Sequence, residues 1–171
     1  MFKRKIIMVI IFLMVISVAV FFYFQINKFE LVQLSERASY LNSTQELEKD
    51  AAKSLERLIK NAEEDGMCLI VMSSYRTYED QERLYKKYGD KRAKKPGYSE
   101  HEKGIAVDFG GCPMTNGKRD DTAERLELRD DFKELPEYNW LVKNAKNYKF
   151  IQSYNDASEI IEEPWHWKYN N

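Results

Sequence analysis

Apolar and polar positions divide the chain into one uniformly apolar run and a longer mixed remainder. Ile6 to Phe24 carries no charge and is almost wholly aliphatic or aromatic. At about 19 residues, it approaches the ~20 that span a bilayer core as a helix. Met1-Phe2-Lys3-Arg4-Lys5 precedes it, so the positive-inside rule keeps the N-terminus in the cytoplasm and sends the rest of the chain outside. A cleaved signal peptide is the alternative, with Ser17-Val18-Ala19 as small residues for a cleavage site. The run continues through Val20 to Phe24, where a cleavable peptide should already have turned polar, and this favours a retained anchor. The expected division is a cytoplasmic stub and transmembrane signal-anchor over 1–27, a juxtamembrane linker over 28–43 and a folded domain over 44–171.

Within the domain, Leu47, Ala51, Leu55, Leu58, Ile59 and Ala62 recur at three- and four-residue steps. This predicts an amphipathic helix from Thr44 to Asp65, capped by Ser43 or Thr44 and stopped by Gly66. Met67 to Met72 reads as a buried strand. Thr77, with Asp80 three residues on, predicts a capped helix through Tyr88 that ends at Gly89. Lys91 to Tyr98 is a basic loop with a turn at Pro96-Gly97. Gly104 breaks any helix, and Ile105 to Phe109 reads as a strand followed by a loop over 110–121. Pro136 to Asn147 is helical, and Tyr148 to Ser153 and Trp165 to Tyr169 are the last strands. Helices mixed with short strands, without regular βαβ alternation, predict an α+β domain with a small antiparallel sheet flanked by helices.

Composition narrows the function classes. A hydrophobic fraction of 43% with 32% charged residues suits a packed core. A net charge of -1 gives no electrostatic case for nucleic acid. Cys68 and Cys112 lack C-x-x-C partners, so a thiolate metal site is not expected. They form either one disulfide, worth on the order of 3–4 kcal/mol in the chain-entropy view, or two free thiols.

The chain has two histidines, and both sit in frames rich in metal-ligating chemistry. His101 lies in Ser99-Glu100-His101-Glu102-Lys103-Gly104-Ile105-Ala106-Val107-Asp108, and His166 in Glu163-Pro164-Trp165-His166. Two imidazoles and the Asp108 carboxylate make a three-ligand set for Zn²⁺, with the fourth position left for water. Strand alternation turns His166 to one face and Trp165 and Trp167 to the other. Glu163, three residues before His166, is placed to take a proton from that water and pass it to a leaving amine. Arg76 suits an anionic transition state or a substrate carboxylate, because its fork donates two parallel hydrogen bonds. Glu100 and Glu102 read as solvated charges.

Ser73-Ser74-Tyr75-Arg76-Thr77 with Gln81, then Gly97-Tyr98-Ser99-Glu100-His101 with Gly104 and Asp108, then Glu163-Pro164-Trp165-His166, resemble the VanY-type D-alanyl-D-alanine carboxypeptidases, zinc peptidases of bacterial peptidoglycan. The resemblance covers roughly residues 45–170. It implies a Hedgehog/DD-peptidase-like fold, zinc ligands His101, Asp108 and His166, a catalytic base at Glu163 and a reaction-centre arginine at Arg76. It also implies substrate-pocket positions at Ser99 and Gln81. Lys149 departs from the pattern where a glycine is common, and Gln152 where a basic residue is frequent. The expectation is a single-pass membrane-anchored, extracytoplasmic D,D-carboxypeptidase acting on peptidoglycan stem peptides or their lipid-linked precursor. The rivals are an L,D-carboxypeptidase or endopeptidase on the same fold, and a non-catalytic wall-binding module.

Overall fold

A computed structural model of the chain describes residues 8, 11–18, 29–39, 43–90, 92–112, 114–115, 118–119, 130–153 and 163–171. The chain falls into two units, Met1–Glu30 and Leu31–Asn171. In the first, residues 11–18 are helical, and the rest of the apolar run lies largely outside the described residues. Among the described residues, no helix is long and apolar enough to cross a membrane.

The second unit begins inside the stretch read as a linker. Strand β1 (Leu31–Gln33) pairs antiparallel with β2 (Glu46–Glu48), with Val32 opposite Leu47. Leu34 and Ala38 are buried, and the Ala38 carbonyl accepts from Val71 N–H at 2.7 Å. Residues 31–39 thus belong to the folded unit. Helix α1 (Lys49–Glu64) starts later than its apolar spacing predicts. The Glu48 carboxylate, not Ser43 or Thr44, accepts from the N–H groups of Asp50 and Ala51. The reason is the β1 partner: pairing holds residues 46–48 extended and moves the first free amides to residue 50. Ala51, Leu55, Leu58, Ile59 and Ala62 form the buried face as the periodicity predicts.

Strand β3 (Leu69–Ser73) is followed by α2 (Tyr78–Tyr88), where Thr77 Oγ1 accepts from Asp80 N–H and Gly89 closes the helix at φ 68°. A 3₁₀ turn (His101–Lys103) leads into β4 (Ala106–Gly111). The region read as loop contains a short hairpin, β5 (Met114–Thr115) with β6 (Lys118–Arg119). Helix α3 (Pro136–Asn144) carries proline at its first turn, where a missing N–H costs nothing. It continues as a 3₁₀ turn (Ala145–Tyr148) into β7 (Phe150–Gln152), and β8 (His166–Tyr169) ends the fold.

The main sheet has the order β3-β4-β8-β7, antiparallel throughout. Leu69, Val71, Val107, Phe109, Phe150, Trp167 and Tyr169 point to one face and join Leu55, Leu58 and Leu141 in the core. Fully burying an aromatic such as Phe109 or Phe150 contributes roughly 2–3 kcal/mol. The α+β architecture with a small antiparallel sheet and flanking helices is therefore observed. Cys68 and Cys112 are joined as a disulfide with their Cα atoms 5.2 Å apart, which settles the alternative the sequence leaves open.

Lys149 closes the 3₁₀ turn in the left-handed region, at φ 60° and ψ 22°. It is the one non-glycine residue with positive φ among those described. Its ammonium sits 5.7 Å from the centre of the Tyr169 ring, a partial compensation. The alanine and glycine variants at this position both lose that contact and differ only in the backbone. Lys149→Ala should therefore unfold about 1 kcal/mol more easily than Lys149→Gly in urea titration.

Candidate metal centre

Asp108 and His166 are direct cross-strand partners on β4 and β8. Their neighbours Val107, Phe109 and Trp167 enter the core, so alternation turns Asp108 and His166 together onto the opposite face. His166 Nδ1 lies 2.9 Å from Asp108 Oδ1. The 3₁₀ turn brings in His101 from the side, with Nε2 3.3 Å from Asp108 Oδ2. Gly104 ends that turn at φ 65°, a conformation that costs any other L-residue roughly 1–2 kcal/mol. The two imidazoles meet edge to face with centroids 4.9 Å apart. His101, Asp108 and His166 are all buried and each offers a ligand atom, and these atoms lie within 4.8 Å of one another.

The remaining ring nitrogens also have partners. His101 Nδ1 lies 2.6 Å from the Ser74 carbonyl oxygen, which can only accept. Nδ1 therefore carries the hydrogen, and the lone pair of the neutral ring is at Nε2, facing Asp108. His166 Nε2 lies 3.0 Å from Glu100 Oε2 and Nδ1 lies 2.9 Å from Asp108 Oδ1, both acceptors, so the protonated ring donates to each carboxylate, and the neutral ring that keeps its hydrogen on Glu100 offers its lone pair at Nδ1. Both lone pairs converge on the Asp108 carboxylate. That donor set of two neutral nitrogens and a carboxylate oxygen suits a divalent zinc-like ion.

Two segments around the centre are tied down by the N-terminal strands. Glu46 O accepts from Tyr75 N–H at 3.0 Å, and Ser74 Oγ accepts from Glu46 N–H at 3.0 Å. Glu48 N–H donates to Gly104 O at 2.8 Å. Strand β2 therefore holds both the segment that carries Ser74, a partner of His101, and the end of the turn that carries His101 itself.

Glu163 is placed by a tight turn in which His166 N–H donates to Glu163 O at 3.0 Å. Pro164 occupies the second position, where its fixed φ favours such a turn. Trp165 O accepts from Phe109 N–H at 2.9 Å and ties the turn to β4. Burial pushes the Glu163 carboxyl up and the Asp108 charge adds to this, against the pull of His166, His101 and Arg76, for a net rise. Arg76 N–H donates to His101 O at 3.3 Å. Its guanidinium donates to Gln81 Oε1 at 2.7 Å and to Ser73 Oγ at 3.2 Å.

Gln81 is buried with both amide ends engaged, since its Nε2 donates to Lys94 O at 2.7 Å. It contacts Arg76 and the basic loop from within the protein. Ser99 is buried, and its N–H donates to the Glu102 carboxylate at 3.1 Å.

Glu100 and Glu102 correct the sequence reading. Glu102 staples the loop before His101 by accepting from Gly97 N–H at 2.9 Å as well as from Ser99. Glu100 accepts from Lys168 Nζ at 2.7 Å and Ser153 Oγ at 2.8 Å and faces His166. Burial pushes the Glu100 carboxyl up, but hydrogen bonds from His166, Lys168 and Ser153 bring it down to about 2. Asp108 behaves likewise: burial raises it, and the His101 and His166 interactions outweigh burial and hold it well below the carboxylate range. For His166 burial favours the neutral ring, yet the Asp108 and Glu100 hydrogen bonds push it up to about 9.

A family model described as VanY, D-alanyl-D-alanine carboxypeptidase, matches residues 44–171. A D-alanyl-D-alanine carboxypeptidase of Enterococcus faecium is 29% identical over 153 residues, covering 83% of this chain and 45% of the relative. The chain thus spans about half the length of that relative. Among solved structures, the LdcB LD-carboxypeptidase superposes with a TM-score of 0.65 at 29% identity, over 81% of this chain and 67% of the other. The vancomycin-resistance D,D-pentapeptidase VanY from a VanB-type cassette, in complex with Zn(II), gives a TM-score of 0.61 at 26% identity, over 83% and 79%. With three-quarters of its length under the family model and this fold beneath it, the chain belongs to the VanY family of D-alanyl-D-alanine carboxypeptidases.

Proposed function

We propose that the protein is a membrane-anchored, extracytoplasmic zinc D,D-carboxypeptidase that removes the terminal D-alanine from peptidoglycan stem peptides or their lipid-linked precursor. The convergence of His101 Nε2 and His166 Nδ1 on the Asp108 carboxylate carries this reading. The apolar run Ile6 to Phe24 behind Lys3-Arg4-Lys5 supports the anchor. The Cys68–Cys112 disulfide fits an oxidising, exported setting.

His101, Asp108 and His166 would hold the zinc. When bound, it supplies a Lewis acid for the scissile carbonyl and lowers the pKa of water to about 7. Glu163 takes the proton from the attacking water and delivers it to the departing D-alanine nitrogen, and its raised affinity for protons suits both transfers. Arg76 binds the substrate's terminal carboxylate or the anion developing at the carbonyl, and Gln81 and Ser73 keep its fork aimed. Ser99 lines the pocket beside His101.

A second reading, an L,D-carboxypeptidase acting on tetrapeptide stems, has the likeness to LdcB in its favour. The pair is separated by incubating the protein with a stem pentapeptide ending in D-Ala-D-Ala and with the matching tetrapeptide, with zinc or with a chelator. Mass spectrometry should record zinc-dependent loss of one D-alanine from the pentapeptide. Loss from the tetrapeptide alone selects the second reading, and cleavage of neither by zinc-loaded protein leaves the endopeptidase and the wall-binding module.

Glu163→Gln should keep metal and fold while kcat falls on the order of 10²–10⁴-fold, with KM little changed. A kcat near wild type removes the proposed role.

Stability should depend on pH in a way that zinc alters. His166 titrates near 9 in the fold against 6.5 when free, so its contribution is full below pH 6.5 and is lost as pH rises through 9. Glu100, near 2 against 4.5, contributes fully above pH 4.5 and is lost as pH falls through 2. The metal-free protein should melt highest between about pH 4.5 and 6.5, and its Tm should fall between pH 6.5 and 9. The zinc-loaded protein should not show the alkaline loss, because there the His166 ring is held neutral as a ligand. Parallel alkaline curves for the two forms would contradict the assignment of His166.

A further inference from the structure

Glu100 is the carboxylate around the centre that the proposed reaction does not use. It sits beside His101 in sequence, yet its side chain serves the other histidine. Glu100 Oε2 is 3.0 Å from His166 Nε2, the nitrogen on the far side of the ring from Asp108. It therefore stands behind the ligand and outside the three-residue ligand cluster.

Three elements converge on it. Lys168, two residues after His166 on β8 and on the same face of the strand, donates to Oε1 at 2.7 Å. Ser153, just past β7, donates to Oε2 at 2.8 Å. The glutamate itself immediately precedes the 3₁₀ turn that carries His101. The side chain is only 16% exposed, and the Lys168 ammonium balances its charge. A carboxylate so held has little freedom to leave the His166 ring.

We propose that Glu100 is a positioning residue for the metal centre: by accepting the Nε2–H of His166 it fixes the ring's tautomer and orientation, so that the Nδ1 lone pair faces the metal position. The inference rests on the zinc reading above. The physical requirement is general. A ligating imidazole presents one lone pair, and the group that holds its other nitrogen decides which one and in what direction. His101 meets this requirement with the Ser74 carbonyl. His166 meets it with Glu100. A charged acceptor also binds the Nε2 hydrogen more strongly than a carbonyl does and raises the basicity of the ligating nitrogen. The arrangement further links the two histidine-bearing segments through one side chain, so His101 and His166 are placed relative to one another.

The test is the zinc dissociation constant of the purified full chain, measured by competition with a chromophoric chelator, for wild type and for Glu100→Ala, Glu100→Gln and Lys168→Ala. Glu100→Ala should bind zinc roughly 10–100-fold more weakly than wild type. Glu100→Gln keeps a neutral acceptor at the same place and should fall between the two. It also serves as the test if the alanine variant does not fold. Lys168→Ala breaks the ion pair but leaves the acceptor, and should stay within about threefold of wild type. Wild-type affinity in Glu100→Ala or Glu100→Gln overturns the proposal while leaving the zinc reading intact. So does a loss in Lys168→Ala as large as that in Glu100→Ala, which would assign the effect to the ion pair's support of the strand. Failure of the wild-type chain to bind zinc overturns both.

Discussion

The register between β4 and β8 is the constraint on which the site depends. It sets Asp108 opposite His166 and Val107 opposite Trp167. A slip of β8 by one residue would send the His166 imidazole into the core and Trp167 onto the site face. The cost of burying a charge unpaired far exceeds that of any single contact in the sheet, so packing and ligand placement enforce the same alignment. Trp167 and Tyr169 on one face and His166 and Lys168 on the other are therefore two halves of one specification.

Around that pair the fold adds groups whose preferences oppose one another. Asp108 is buried, which disfavours its charge, and it stays ionised because two imidazoles face it. Glu163 is also substantially buried, and it has Asp108 as a like-charged neighbour, so its proton affinity rises. Two carboxylates in one cleft are thus driven apart, one towards a permanent anion and the other towards a group that exchanges a proton. That divergence follows from position alone: Asp108 lies between the rings, while Glu163 sits one turn before His166.

Much of this was legible in the sequence because it is local. The apolar spacing of α1, the Thr77 cap and Gly89 stop of α2, and the alternation that separates His166 from Trp167 each depend on residues within a few positions of one another. The cluster of His101, Asp108 and His166, which could hold a metal, needed only the two histidine frames. What escaped depends on tertiary context that the local spacing does not carry. Glu46-Leu47-Glu48 fits a helical turn as well as a strand, and only its pairing with Leu31–Gln33 decides. Glu100 and Glu102 are chemically identical charges two apart on one turn, and nothing local says that one reaches back to Gly97 while the other reaches across to His166. Gln81 is a pocket position by resemblance, and only the fold shows that its amide also holds Arg76 and the Lys94 carbonyl.

The charges around the centre give a further reason for the arrangement. Among the described residues, Glu100, Asp108 and Glu163 are the acidic groups around the centre and Arg76 and Lys168 the basic ones, so with all five ionised the metal-free site has one negative charge in excess. Protonation of His166 removes it, and against the cost of burial the Asp108 and Glu100 hydrogen bonds, with the Asp108 and Glu163 charges, favour that protonation. Under the proposed assignment a divalent ion takes over the proton's place and overshoots by one unit, which leaves a net positive charge in a buried cleft. A substrate that ends in a carboxylate, and a reaction that builds negative charge on a carbonyl oxygen, are both attracted to such a site. The low dielectric of the cleft strengthens that attraction. Lys168 matters to this balance without touching the ligands: were it neutral, the Glu100 anion would offset the surplus, and the centre would lose its preference for the charged state that hydrolysis must pass through.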